Sequence, residues 1–317
     1  MKKQPELLVS PKSVAEISLL AEAGASAFVI GDERFALDVR ASFKGRVLEE
    51  AIDLAHSLDK RIYLLADAIF PNALLLQFAT YLQEVKSLPV PVNGIRVADL
   101  GAYMLVKQIM PKMPIHLVDA MMLTNYYTVN YWASKGMNRV RLAHELTLDE
   151  VLEIKNRAKC EIEILIQGAP LMFTSRRRLI DNYLDFQRTI GKDVTLLEDE
   201  NFLFDKERDL YYPITQNKHG THIYGGNDVC MVDDLAELLA AEIDVLYIEG
   251  KMYDDTESLA QVIKLYKMAI ELAAVDLEKY LKIGMVLYNK VENLQQKFRQ
   301  TDRGFYYKPT IYKNQSK

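Results

Sequence analysis

The sequence predicts an α/β fold, a single-domain (β/α)8 barrel of the TIM-barrel kind with an insertion before the last strand and a helical C-terminal tail. Three observations predict it. Eight short apolar runs rich in Val, Ile and Tyr recur along the 317 residues. Segments with helical spacing separate most of them, and strands alternating with helices imply parallel βαβ units. The first seven run centres lie about 20 to 35 residues apart, the size of one βα unit, whereas about 80 residues separate the seventh from the eighth. An open, doubly wound sheet has the same alternation; the count of eight units favours the barrel.

The predicted strands are Glu6 to Val9, Ala27 to Ile30, Arg61 to Leu65, Gly94 to Ala98, Ile115 to Val118, Arg139 to Leu142, Glu161 to Ile166 and Asp244 to Ile248. The predicted helices between them are Ser13 to Ala23, Val47 to Ser57, Ala73 to Val85, Ala102 to Ile109, Tyr126 to Lys135 and Leu148 to Arg157. Ser13 with Glu16 and Thr147 with Glu150 are capping-box patterns that start helices, and Gly24 and Gly136 stand where glycine ends them. Two further helices, Ser258 to Ala274 and Asp276 to Phe298, precede the cationic, aromatic end RGFYYKPTIYKNQSK. No repeat, low-complexity tract or Pro/Ser-rich linker marks a boundary. We therefore assign residues 1–275 to the barrel, about 169–243 of them to the insertion, and 276–317 to a C-terminal helix and basic aromatic tail.

A net charge of -5 argues against a protein that coats nucleic acid non-specifically and leaves room for a local cationic patch. The two cysteines, Cys160 and Cys230, give neither a disulfide framework nor the ligands of a zinc or iron-sulfur site within this chain, and a reducing cytoplasm suits them. The start, MKKQPELLVS, has no apolar core of a signal, and no apolar run reaches the ~18 residues that span a membrane. A cytoplasmic protein without a membrane partner is the expectation. Glycine-rich nucleotide signatures, a GxSxG elbow and an HExxH helix are all absent from the sequence.

Three groups of residues carry possible chemistry. His116 and His144 fall at or just past the ends of predicted strands, where a barrel gathers its catalytic groups; a core histidine satisfied by the backbone is the alternative for each. His56 lies within a helix and reads as packing. His219 and His222 form an HxxH in a turn-rich stretch, too few ligands for a metal, and no metal site is assigned. Glu249 and Lys251 follow the last strand and alternate toward one side of the rim, either to bind a carboxylate or zwitterion and act as acid and base, or to pair and close the barrel mouth. Arg176, Arg177 and Arg178 follow the seventh strand. With Gly168 to Pro170 as the turn and a helix starting near Ser175, they would oppose the helix dipole unless an anion sat there, and helical geometry lets at most two face one ligand. A solvated helix face is the other reading.

The runs DLGAYMLVKQIMPKMPIHL, TVNYWASKGMNRVRLAHELTLDEV and PITQNKHGTHIYGGNDVCMVDDLAELLAAEIDVLYIEGKM resemble the collagenase-like peptidase family U32, across roughly Glu6 to Ala273. The resemblance implies a role in 5-hydroxyuridine formation at the tRNA wobble position with prephenate-derived chemistry, and it implies an iron-sulfur cluster held by cysteines. On this sequence it puts Gln167 at a family histidine, Leu171 and Arg178 at two family cysteines, and Arg177 at a family arginine; only Cys230 remains of the cluster ligands, and one thiolate cannot hold a cluster. The polar rim element after MPIHL is replaced by Val118, Asp119, Ala120, Met121 and Met122, and the family's SREL reads Ala143-His144-Glu145-Leu146.

The resemblance thus implies a cluster-lacking subunit that works on tRNA with a cluster-bearing paralogue, has no cofactor of its own and takes prephenate as a possible ligand. Arg177, Lys251, Thr221, Asp228 and His116 are its expected substrate-binding residues. Tyr306, Tyr307, Tyr312 and their neighbouring lysines either help hold RNA or pack as a tail. The family name supplies the alternative, a hydrolase using Glu249, His144 or His219 as acid and base.

Overall fold

The computed structural model describes residues 4–37, 39–118, 123–192, 201–253, 255–295 and 299–308. Its first half alternates β1 (Glu6–Val9), α1 (Val14–Ala23), β2 (Ala27–Gly31), α2 (Arg46–Ser57), β3 (Arg61–Ala66), α3 (Asn72–Lys86), β4 (Gly94–Val97), α4 (Leu100–Ile109), β5 (Ile115–Leu117), α5 (Tyr126–Ser134), β6 (Arg139–Arg141), α6 (Leu148–Arg157) and β7 (Glu161–Gly168). The insertion follows as β8 (Leu171–Ser175), α7 (Leu179–Thr189), β9 (Phe202–Asp205), β10 (Leu210–Asn217) and β11 (Gly220–Tyr224). The chain then runs through β12 (Asp228–Cys230), α8 (Leu235–Ala240), β13 (Val245–Ile248), α9 (Thr256–Val275), α10 (Leu277–Glu292) and β14 (Thr301–Asp302).

The barrel closes as predicted. β1 to β7 pair in sequence order, and β13 enters between β1 and β7, parallel to both. Its register against β7, Val245 opposite Glu163 and Tyr247 opposite Leu165, shifts between Tyr247 and Ile248, just below Glu249. Residues of β1, β2 and β13 are buried along their whole length, which is why those segments read as continuous apolar runs. The caps also form. The Ser13 side chain accepts from the backbone N of Glu16 at 3.2 Å, Thr147 and Glu150 complete a reciprocal capping box, and Gly24 closes α1 in the left-handed region at φ 117°.

The insertion corrects one expectation. Residues 171–175 form a strand, and the helix after them begins at Leu179 with Arg178 in the N-cap position. The reason is a partner remote in sequence: β8 pairs antiparallel with β11, Ser175 opposite Thr221 and Thr174 opposite His222. The resulting small sheet runs β8-β11-β10-β9.

The C-terminal segment is fastened to the barrel. β12 lies antiparallel on the end of β7, with Cys230 opposite Gln167, and β14 adds to it in parallel. Arg303 reaches Asp233 and Asp234, each at 2.6 Å, and Tyr306 donates to the carbonyl of Leu165 at 2.7 Å. Tyr306 therefore packs on β7. Tyr307 is exposed, while Phe298, Tyr312 and the last lysines lie outside the described residues, as do Asp119, Ala120, Met121 and Met122.

Candidate active site at the barrel mouth

Strands β6 and β7 read RVR and EIEILIQG, with charges two residues apart among apolar residues, and β4, GIRV, carries one arginine. Alternate residues of a strand share a face, so Arg139 and Arg141 point one way, as do Glu161 and Glu163. Contacts between strands that are not sheet neighbours show that this face is the barrel interior. Arg139 of β6 donates to Glu6 of β1 at 2.7 Å, and Arg96 of β4 holds Glu163 of β7 through two hydrogen bonds of 2.7 and 2.6 Å.

The interior is layered. In the lower layer Tyr63 donates to Glu6 at 2.8 Å, the Arg139 guanidinium lies 5.0 Å from the Tyr63 ring centre, and His116 meets that ring edge-on at 4.8 Å. Burial, with Arg139 and Arg96 beside it, pushes His116 well below the usual imidazole range, so it is a neutral core group. In the upper layer Arg141 lies 4.1 Å above the Tyr247 ring, with its Nε 3.2 Å from Glu163. Burial opposes the charge of Arg141, but Glu163, Tyr247 and Glu249 outweigh it and the guanidinium stays cationic.

Above Arg141 opens a cavity of about 320 Å³ at the C-terminal ends of the strands, bordered by Asp67, Arg141, His144, Tyr224, Tyr247 and Glu249. Tyr247 donates to one Glu249 oxygen at 2.7 Å, and the backbone N of Lys251 donates to the other at 3.0 Å. The Lys251 ammonium reaches the Tyr224 hydroxyl at 3.3 Å and sits 5.0 Å from its ring centre. Tyr224 belongs to β11, so the insertion supplies one wall. Asp67 accepts from the backbone N of Leu37 at 2.8 Å, and burial raises its pKa. Burial first and Arg141 second push His144 down to about 3, which makes it a neutral acceptor or donor at physiological pH. The floor thus presents a buried guanidinium suited to a carboxylate, with a carboxyl group and a neutral imidazole on the walls.

Gly168 makes the geometry possible. At φ 103° it takes a conformation few residues adopt, and a Cβ there would meet the Glu249 carbonyl oxygen at 2.3 Å.

The mouth thus gathers Glu249, Lys251 and His144. The other expected site residues lie elsewhere. His219 sits on the outer side of the insertion, where its Nε2 is 2.7 Å from the Glu33 carbonyl. Thr221 caps α7: its hydroxyl accepts from the backbone N of Leu179 and donates to the Arg177 carbonyl, both at 2.9 Å. The Arg177 side chain is exposed, and Arg178 pairs with Asp181. Asp228 is fully buried against Arg299, whose Nε donates to it at 2.9 Å. Gln167 donates to Tyr253 at 3.0 Å and accepts from Tyr266 at 2.9 Å. Cys230 is buried beside Tyr266, and burial lifts its thiol to about 12, so it is no thiolate at neutral pH. Among the described residues no group of three or more His, Cys, Asp and Glu is placed to hold a metal ion.

Sequence reasoning missed Asp67, Arg96, Arg141, Glu163, Tyr224 and Tyr247. The signal for three of them was present, since an arginine or glutamate flanked by Val and Ile in a strand buried on both faces must point into a polar barrel interior.

The sequence matches the model of peptidase family U32 over residues 12–316. It is 37% identical to tRNA hydroxylation protein P2 of Bacillus subtilis, across 98% of this chain and 100% of that protein. It is 29% identical to tRNA hydroxylation protein P of Haemophilus influenzae, across 86% of this chain and 68% of that one. It is also 25% identical to tRNA hydroxylation protein P1 of Bacillus subtilis, across 88% of this chain and 66% of P1. No helix of the described residues is long and apolar enough to cross a membrane.

Proposed function

The chain belongs to peptidase family U32, and from that premise we propose that it is a cytoplasmic, cluster-lacking subunit of a tRNA-hydroxylating system, acting on the wobble uridine with a longer, cluster-bearing paralogue. The observation that carries this reading is its end-to-end similarity to a protein named for tRNA hydroxylation, in an organism that has a second, longer relative of the same name. The site agrees with it. Arg141 at the cavity floor suits the carboxylate of a prephenate-like ligand, Glu249 supplies a carboxyl group for acid or base work, and the neutral His144 supplies a hydrogen-bond donor or acceptor. The residues standing where relatives would carry cluster cysteines are engaged otherwise, Leu171 in the pairing of β8 with β11 opposite Tyr224, and Arg178 with Asp181.

The test is mass spectrometry of tRNA nucleosides from a deletion strain. Loss of 5-hydroxyuridine and its derivatives, restored by the intact gene, is expected; wild-type levels after deletion would overturn the proposal. The family name favours a second reading, a peptidase, and cleavage of peptides by the purified chain that Glu249→Gln abolishes would establish it instead. The high thiol pKa of Cys230, and of Cys160 at about 11, weighs against a cysteine nucleophile.

A further inference from the structure

A second cavity, of about 340 Å³, lies outside the barrel mouth between the insertion and the start of α3. Three cations from three separate segments border it: Arg34 after β2, Arg176 in the turn after β8, and Lys218 between β10 and β11. His219 and Gln77 complete its polar lining, and no acidic residue is among the residues that line it.

Two of the three cations have acidic partners that do not line the cavity. Asp32, buried, accepts from Arg34 at 2.9 and 2.7 Å, and Glu33 lies 3.6 Å from Lys218. Arg176, at the cavity edge, makes no ion pair with any described residue. The first turn of α3, through Pro71, Ala73 and Leu74, forms one side, and this 15-residue helix has no side-chain cap, so its dipole adds to the positive field. Converging guanidinium and ammonium groups of this kind bind phosphate. Ile69 borders both this cavity and the mouth, so the two are adjacent.

We propose that this cavity is a phosphate subsite, filled by a backbone phosphate of an RNA whose target base enters the barrel mouth. The inference rests on the tRNA reading and adds to it the residues that hold the RNA, Arg176 and Lys218 foremost. Such contacts fix position and carry no sequence information.

The test is fluorescence anisotropy with a labelled RNA stem-loop and the full chain, over a range of salt concentrations. The Arg176→Ala, Lys218→Ala double variant is expected to bind roughly tenfold or more weakly for every loop sequence, with a salt slope lower by about 1 to 2. Arg176→Lys should keep most of the binding. Both side chains are on the surface, so unchanged thermal unfolding serves as the folding control. Double-variant binding equal to wild type, with an unchanged slope, would overturn the subsite. So would a wild-type chain that ignores RNA but is stabilised by inorganic phosphate through the same two residues, which would assign the cavity to a small phosphate ester. The deletion-strain nucleosides separate the two proposals: a strain that loses the modification and regains it fully from the double variant keeps the tRNA reading and removes the subsite.

Discussion

Arg96 and Glu163 face each other across the barrel interior as a two-bond pair, 2.7 and 2.6 Å long, with both side chains sealed from solvent. Neither strand borders the other in the sheet, so the pair ties opposite walls together beneath the mouth. Removing Arg96 leaves Glu163 without its two-bond partner, with Arg141 Nε 3.2 Å away as the remaining contact. Arg96→Met is expected to cost about 3 to 5 kcal/mol in denaturant unfolding, while the joint replacement Arg96→Met, Glu163→Leu should recover only part of it, because it takes Glu163 from Arg141 as well.

The same pair makes stability depend on acid. Burial would raise the Glu163 pKa, but Arg96 and then Arg141 and Arg139 hold it down at about 2. The folded value lies below the unfolded one, so the stabilisation is complete above about pH 4.5 and is lost as pH falls through 2. Glu163→Gln should unfold with a flatter pH dependence in that window, measured as urea midpoints.

His144 acts in a higher window. The unfolded imidazole takes up a proton near pH 6.5, whereas the folded one stays neutral to about 3, so the unfolded state binds more protons and stability falls as pH drops. The loss between pH 7 and 5 is expected to be roughly 1 to 2 kcal/mol, and His144→Gln should remove it. If His144 serves the reaction, it serves as a neutral group, and no activity titration between pH 5 and 8 should trace to it.

Gly168→Ala tests the support under Glu249. The added carbon would stand 2.3 Å from the Glu249 carbonyl oxygen on a backbone at φ 103°. A destabilisation of about 1 to 3 kcal/mol is expected, together with loss of any activity that depends on Glu249. A variant as stable and active as wild type would show that the mouth relaxes around the new side chain.

Arg299→Ala tests the C-terminal fastening. It would leave Asp228 buried, its pKa already raised by burial against the pull of Arg299, with no cation beside it. A cost of about 3 to 5 kcal/mol is expected, and Asp228→Asn in the same chain should relieve part of it. Limited proteolysis should release the segment after residue 295 faster in the single variant.

The barrel was readable because its strands are short apolar runs separated by segments of helical spacing, four of which start at a side-chain cap, and both signals are local. The small sheet of the insertion was not, because Leu171–Ser175 becomes a strand through β11, about 50 residues later. At the mouth, Glu249, Lys251 and His144 were legible from their places just past strand ends. Arg141 and Glu163 were less legible because they sit inside strands beside apolar core residues, and their partners lie on other strands. Thr221 and Asp228 stand out in the sequence as polar residues near glycine turns, and what they touch, the start of α7 and Arg299, follows only from folding.

The late entry of β13 between β1 and β7 has a consequence for synthesis. While the ribosome works through the insertion, β1 and most of β7 have no partner on the side that β13 takes, and they gain it only when residue 248 has left the exit tunnel. Closure joins positions more than two hundred residues apart, Glu6 with Val245, so it is both slow and all-or-none. Unpaired edges of that length are templates for association with other chains. Chains stalled before residue 245 are therefore expected to be recovered with chaperones or in aggregates, and full-length chains are not.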